Sequence, residues 1–396
     1  MKSSEFDGRS VAALLALSLA AFCYVTAETL PVGLLAEIAA DLDVSPSQVG
    51  LLVTGYAVIV VVVTLPLVRV VARVPRRPLM LGLMAMLVAG TALSAAAPGY
   101  GPLLGARVLS ALSQAVFWAV VSPVAAGMFP VRVRGRVMAV VFTGGSLGPM
   151  LGMPAGTWLG QHIGWQTAFL AVAGLGSIAF ATLAAALPSG PARHEHAGRG
   201  TTPDARRYAL VLATTGLGVA GFFAVFTYTA EFVTAVAGMS AGLLGPLLLA
   251  RGVIDFGGIA LGGLLSDRNQ RLAVILPTAL LTGTLIAMFA FGTDPWAAAV
   301  TIVLTGLAMG LFTPALQNRV MEFAPGSTDT ASAGNSIAFN VGIALGSASG
   351  ALTLAQVGTR GTALTGAALA AAALATALAT SATARDKTAK EPVAQA

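Results

Sequence analysis

The sequence predicts an all-α integral membrane protein with twelve transmembrane helices in two pseudo-symmetric six-helix halves. Three observations carry this. Only 10% of the 396 residues are charged, against about 25% in ordinary soluble proteins. The apolar share is 56% and the mean hydropathy +0.84. The charges that exist are gathered between long uncharged runs: 44–68, 78–106, 108–131, 137–192, 208–230, 272–293, 295–318, 330–359 and 361–384. Such a chain is neither a soluble enzyme with a polar shell nor a disordered one.

A span needs roughly 20 apolar residues at 1.5 Å each. Most of the runs are one span long, and 137–192 must hold two. Dividing at the turn signals Pro98-Gly99 and Gly164-Trp165 predicts spans at 11–36, 47–70, 77–97, 101–127, 134–160, 165–187, 208–236, 241–265, 271–291, 296–321, 329–355 and 359–382. The period-2 alternation of barrel strands is absent. Lys2 and Arg9 precede the first run as in a secretory leader, but the run outlasts a leader's apolar core and eleven more follow, so the first span is expected to be retained.

The net charge of +6 reflects topology rather than nucleic-acid binding. With the N-terminus inside, every Lys and Arg but Arg107, Arg251 and Arg360 falls in the termini or inner loops. This positive-inside bias places both ends in the cytoplasm. Cys23 is the only cysteine, so neither an internal disulfide nor a cysteine metal cluster is expected. His194-Glu195-His196 lies in a polar Pro/Gly/Arg segment, where solvated charge is the ordinary reading, and no metal site is expected.

That segment divides the chain: residues 1–192 form the first six-span half, 193–207 a cytoplasmic linker, 208–383 the second half, and 384–396 a disordered cytoplasmic tail. The halves repeat. Thr26-Ala27-Glu28 recurs as Thr229-Ala230-Glu231; Ser45, Gly50, Arg73 and Arg76 align with Ser240, Gly245, Arg268 and Arg271; Gly148, Gly152, Gly156 and Gly160 of span 5 answer to Gly342, Gly346 and Gly350 of span 11. Two parallel six-helix repeats are an architecture in which the substrate path runs between the halves.

Several segments carry a resemblance: TAETLPVGLLAEIA (26–39), ARVPRR (72–77), Arg107 in span 4, FTGGSLGPMLGMPAGTWLGQHIGW (142–165) and GGLLSDR (262–268). Over nearly its whole length the chain resembles the major facilitator superfamily, specifically its twelve-span drug:proton antiporters. The bacterial sugar-efflux and chloramphenicol-resistance group is the most similar. The superfamily's loop pattern G-x-x-x-D-R-x-G-R-R is split: the first half keeps Arg73, Arg76 and Arg77, with Val68 and Ala72 where Gly and Asp are usual, and the second keeps Gly263, Asp267 and Arg268. The resemblance implies a gating role for these loops. It also implies that Gly148, Pro149 and Gly152 form an antiporter motif serving exchange, although GPMLGM stands where GPxxGG is more usual. By helix packing alone, the same glycines make a smooth, close-packed ridge.

Five charges lie deep within spans, away from their ends: Glu28, Arg107, Glu231, Arg251 and Asp255. An intramembrane charge is costly, so it faces a cavity or a partner. Glu28 and Arg107 both sit roughly 10–12 Å below the outer surface at 1.5 Å per residue, so they can share one cavity. Pro31 removes a backbone donor and frees the carbonyl of Ala27 beside the acid. Proton or substrate handling by Glu28 competes with a permanently paired structural role. Arg107, Gln114 and Trp118 share one face of span 4 and suit a polar aromatic substrate; an arginine here is a signature of the family and implies proton coupling. Arg251 and Asp255, four apart, can pair within span 8, or Arg251 can pair with Glu231, and the remaining acid titrates. Proton coupling is thus expected of Glu28, Arg107, Glu231 and Asp255. The substrate cavity is expected to draw on Tyr24, Gln114, Trp118, Arg251, Gln317, Asn318, Asn335 and Asn340; inter-helix hydrogen bonding explains the amides as well as ligand binding does.

No enzyme is expected. Ser146 has no histidine base within the membrane, and no P-loop is present, so ATP does not drive the chain directly. A sensor would append an output domain for which neither tail leaves room. The expected function is proton-coupled efflux of small drug-like or sugar-like molecules by alternating access, as a monomer in the cytoplasmic membrane. It would need no cofactor beyond the proton gradient and no nucleic-acid partner. The alternative is a facilitator or proton symporter importing a small metabolite.

Overall fold

The computed structural model describes residues 7–71, 74–130, 134–187, 201–326 and 328–389. It is helical throughout these segments, and among the described residues eleven helices are long and apolar enough to cross a membrane.

The chain divides into two compact units. The first comprises the described residues of Met1–Glu195 together with Ser240–Leu249; the second comprises those of His196–Met239 and Ala250–Ala396. In the first unit, α1 (Gly8–Gly33) is followed by the short α2 (Leu35–Asp41), then α3 (Pro46–Val71), α4 (Arg76–Ala95), α5 (Tyr100–Gly127), α6 (Arg134–Leu147), a π-helical turn (Gly148–Gly152), α7 (Met153–Ile163) and α8 (Trp165–Ala186). The second unit holds α9 (Ala205–Phe226), the one-turn α10 (Thr229–Glu231), a π turn (Phe232–Val236), most of α11 (Leu244–Arg268), α12 (Gln270–Phe291), α13 (Pro295–Glu322), α14 (Thr328–Val357) and α15 (Thr359–Ala389).

Four departures from the sequence expectation have local causes. The span expected at 134–160 is not one α-helix: Pro149 and Pro154 cannot donate to the ladder, and the backbone answers with the π turn between α6 and α7. The span expected at 208–236 loses its α-helix at Phe226 and resumes as α10 and a π turn. α9 also starts inside the expected linker, because the Asp204 carboxylate accepts from the backbone N–H of Arg206 and Arg207 as an N-cap. Finally, α15 continues through Ala389, into the segment expected to be a disordered tail, since 383–389 hold neither Gly nor Pro; residues 390–396 lie outside the described residues. The turn expected at Gly164-Trp165 is present, with Gly164 at φ +119°, a value glycine tolerates and other residues do not.

The recurring glycines have the same use in both units. Along α1 and at its C-cap, Val25, Thr26, Leu30 and Leu34 occupy the space that Cβ atoms at Gly148, Gly152, Gly156 and Gly160 would take. Along α9, the chain around Gly216, Ala220 and Ala224 does so opposite Gly342, Gly346 and Gly350 of α14. Lipid tails offer helices no hydrophobic drive to associate, and close backbone approach across small residues supplies the packing instead.

Candidate functional site

The first unit gathers a polar cluster around the acid of α1. Pro31 leaves the Ala27 carbonyl without its helical i+4 donor, and Arg107 of α5 fills that place. Its Nη1 donates to Ala27 O at 3.0 Å and its Nη2 to Glu28 O at 3.1 Å. The guanidinium lies over the Tyr56 ring, 4.9 Å from its centroid, a cation–π contact strengthened by burial. Two turns along α5, Gln114 donates from Nε2 to Glu28 Oε2 at 2.8 Å and accepts at Oε1 from the Tyr56 hydroxyl at 2.8 Å. Arg107 and Gln114 are 2% and 3% exposed, whereas Glu28 is only half-buried.

Arg107 therefore spends its hydrogen bonds on backbone carbonyls, and among the described residues no ion pair joins it to the Glu28 carboxylate. The positive charge stays close without locking the acid. Protonating Glu28 breaks no salt bridge; it changes only what Gln114 and the neighbouring charge meet. Such a carboxyl can exchange a proton with little rearrangement around it.

Sequence reasoning placed Glu28, Arg107 and Gln114 together but missed Tyr56. Its signal was weak: a lone tyrosine in the apolar run of α3, where an aromatic is ordinarily core. Trp118 sits one turn beyond Gln114, half-buried, stacked on Phe142 with parallel planes (6.1 Å, 5°) and edge-on to Phe117. Gly145 leaves room for its ring. Tyr24, expected at a substrate cavity, is instead fully buried: its hydroxyl donates to Leu83 O, approaches Ser113 Oγ, and its ring stacks on Phe117. Through these contacts it pins α1 to α4 and α5.

In the second unit the charges remain apart. Arg251 is 3% exposed, packed over the rings of Phe222 and Phe226 at 4.7 and 4.5 Å. No ion pair joins it to Asp255 or Glu231 among the described residues, so neither expected pairing forms. Glu231 closes α10, in the stretch where regular helix is lost. The amides divide. Gln317 donates to Ser332 Oγ (2.8 Å), Asn335 donates to Gln317 Oε1 (2.9 Å), and Thr215 donates to Asn335 Oδ1 (2.8 Å), a network tying α9, α13 and α14. Asn340 donates to Ser336 O at 2.9 Å while its Oδ1 has no hydrogen-bonded partner. Asn318 is exposed.

Of the loop residues, Arg77 opens α4 and donates to Ala184 O at 2.6 Å, in the last turn of α8, where a cation meets the negative end of the helix dipole. Arg76 is half-buried and Arg268 is exposed at the end of α11. A Cβ at Gly263 would meet nothing within 4 Å. Arg73, the linker histidines and the Asp267 side chain lie outside the described residues. Glu37 on α2 has a buried carboxylate oxygen, Oε2, without a hydrogen-bond partner, while Gln161 donates to Ala241 O at 3.0 Å. Burial pushes the Glu37 carboxyl above the usual carboxylate value. A groove of about 240 Å³ among Leu93, Pro98, Pro102 and Leu109 has no charged residue in its lining and is unsuited to recognising a polar molecule.

Helices of spanning length, repeated glycine seats and charges confined to a few interior positions define a multi-pass membrane protein. Residues 17–346 match the sequence profile of the Major Facilitator Superfamily. The chain is 36% identical over 369 residues to the uncharacterized MFS-type transporter YtbD of Bacillus subtilis (strain 168), covering 89% of this chain and 91% of that one. It is 34% identical over 351 residues to the inner membrane transport protein YdhP of Escherichia coli (strain K12), covering 86% and 88%. In fold it is similar to a bacterial homolog of the human lysosomal transporter Spinster in an inward-facing and occupied conformation (TM-score 0.76, 16% identity, 95% and 97% coverage). It is also similar to the human organic anion transporter MFSD10 (TM-score 0.64, 15% identity, 94% and 100% coverage). The chain belongs to the major facilitator superfamily: it is a membrane transporter and not an enzyme, working in a lipid bilayer on a small-molecule substrate.

Proposed function

We propose that the protein is a proton-coupled antiporter that exports small drug-like or sugar-like molecules across the cytoplasmic membrane, with Glu28 as the principal proton site. The observation that carries this reading is the bonding of Glu28: an intramembrane carboxylate held by the Gln114 amide, near the Arg107 charge yet free of an ion pair. An acid so placed can hold substrate-binding polarity when ionised and release it when protonated. Export rather than import is supported by the resemblance of the α1 and α6–α7 segments to drug:proton antiporters.

In this reading twelve spans form two six-span halves with both termini cytoplasmic, and the monomer works by alternating access. Ionised Glu28, Arg107, Gln114 and Trp118 receive substrate from the cytoplasmic side; an external proton then neutralises Glu28 and substrate leaves. Glu231 and Asp255 are secondary proton sites, and Asn340, with an unused acceptor, is the amide of the second unit best placed for a ligand. The proton gradient is the only energy source, with no cofactor. Purified protein in proteoliposomes, loaded in turn with a panel of small aromatic antibiotics and sugars, tests this. Efflux accelerated by an imposed proton gradient, and uncoupled by Glu28→Gln, is expected. Efflux indifferent to the gradient, or uptake without counter-protons, overturns it in favour of a facilitator.

A further inference from the structure

We propose that Arg251 holds a monatomic anion of the chloride type in a small cavity of the second unit. This site is separate from Glu28 and does not rest on the antiport reading. The cavity measures about 10 Å³, room for a single water-sized sphere and too little for the carboxylate of an organic molecule. Arg251, Phe222, Phe226, Thr229, Met288 and Thr305 line it.

The guanidinium is 3% exposed, yet its Nε and Nη1 hydrogens reach no protein acceptor. Gly306 is shaped to admit it, since a Cβ there would collide with the Arg251 carbonyl and stand 2.9 Å from its Cγ. The stem is thus seated by design of the α11–α13 contact, and the unpaired donors do not result from loose packing.

Phe222 and Phe226 sit one turn apart on α9 with rings stacked at 4.7 Å, and both lie beneath the guanidinium. Aromatic faces attract the cation but accept nothing from N–H groups in its plane. Asp255, one turn along α11, and Glu231, beyond α9, make no ion pair with Arg251 among the described residues. The two hydroxyls of the lining are turned away as donors: Thr229 gives its proton to Phe226 O at 2.8 Å and Thr305 to Ile302 O at 2.6 Å. Asp255 is near enough to act on the Arg251 charge electrostatically, but no acceptor meets the buried Nε and Nη1 donors, and unmet charged donors are costly in a protein interior. A water in the cavity would supply an acceptor only. A halide supplies an acceptor that itself carries negative charge in one sphere.

The test uses the full chain in detergent. Thermal unfolding is followed at constant ionic strength while sodium gluconate is replaced stepwise by sodium chloride. A saturable rise in unfolding temperature is expected, retained in part by Arg251→Lys, which keeps the charge, and lost in Arg251→Met. No halide dependence in the wild type, or an equal dependence in Arg251→Met, overturns the proposal. Should Arg251→Met not fold, anomalous scattering from wild-type crystals grown in bromide decides: a peak beside Arg251 is expected. Its absence, with an ordered water in that place, overturns the assignment.

Discussion

The Ala27 carbonyl makes the sharpest stability prediction. Pro31 deprives it of its helical donor, and Arg107 Nη1 replaces that donor at 3.0 Å. The Glu28 carbonyl differs, because Val32 at i+4 still carries an N–H and Nη2 adds a second bond at 3.1 Å. Arg107→Met should therefore orphan one buried carbonyl, costing about 1–3 kcal/mol beyond the lost ring contact. Pro31→Ala should return the N–H to the ladder, so that in this background Arg107→Met no longer leaves Ala27 unpaired. The two changes should couple by about 1–3 kcal/mol, well above the roughly 0.3–0.5 kcal/mol scatter of independent sites. Unfolding by sodium dodecyl sulfate titration in mixed micelles, over the four proteins of the cycle, measures the coupling. Additivity within that scatter refutes the idea that Arg107 stands in for the proline's missing donor.

Other outcomes follow from the same contacts. Gly152→Ala places a Cβ against Thr26 Oγ1 and 2.7 Å from Thr26 Cγ2, so it should lose about 1–3 kcal/mol in the same titration, whereas Gly263→Ala, with open space around it, should stay within about 0.5 kcal/mol of wild type. Asp204→Ala removes the acceptor of two backbone N–H groups at the start of α9 and should cost about 1 kcal/mol, visible as faster hydrogen exchange in the first turn. Glu37 has its carboxyl value raised from 4.5 in the folded protein, so the folded state binds its proton more tightly than the unfolded state. Its contribution is full below the ordinary value and is lost as pH rises through the raised one. Glu37→Gln should flatten the fall in unfolding temperature over that window, and an unchanged pH profile would show that burial of this carboxyl is not felt.

Much of the fold was written in the spacing of charges. Runs without Asp, Glu, Lys or Arg mark the spans because a bilayer penalises each charge separately, and the signal survives without any tertiary information. The irregular backbone was less legible. Pro149 and Pro154 announce a disturbed helix, but whether the chain kinks or widens into a π turn depends on what packs against it, here Val25 and Thr26 of α1. The break after Phe226 has no proline or glycine beside it, so local pattern gives no signal for it.

The site shows the same division. Glu28, Arg107 and Gln114 could be placed by depth and helical phase, and Pro31 named the carbonyl that Arg107 takes. Tyr56 and Tyr24 could not be told apart: each is a tyrosine in an apolar run. The Tyr56 hydroxyl completes the acid's hydrogen-bond chain, whereas the Tyr24 hydroxyl is consumed by Leu83 O. Likewise Arg251 and Asp255, four residues apart, satisfy the spacing rule for an ion pair, but the aromatic pair on α9 draws the guanidinium away.

The central claim is that Glu28 takes and releases the coupling proton. Infrared difference spectroscopy of the reconstituted protein, stepped from acidic to neutral pH, reads this directly and needs no knowledge of the substrate. The wild type should lose the carbonyl stretch of a protonated carboxyl within the membrane region, and that band should be missing in Glu28→Gln. A band that persists unchanged in Glu28→Gln would place the proton elsewhere and contradict the account.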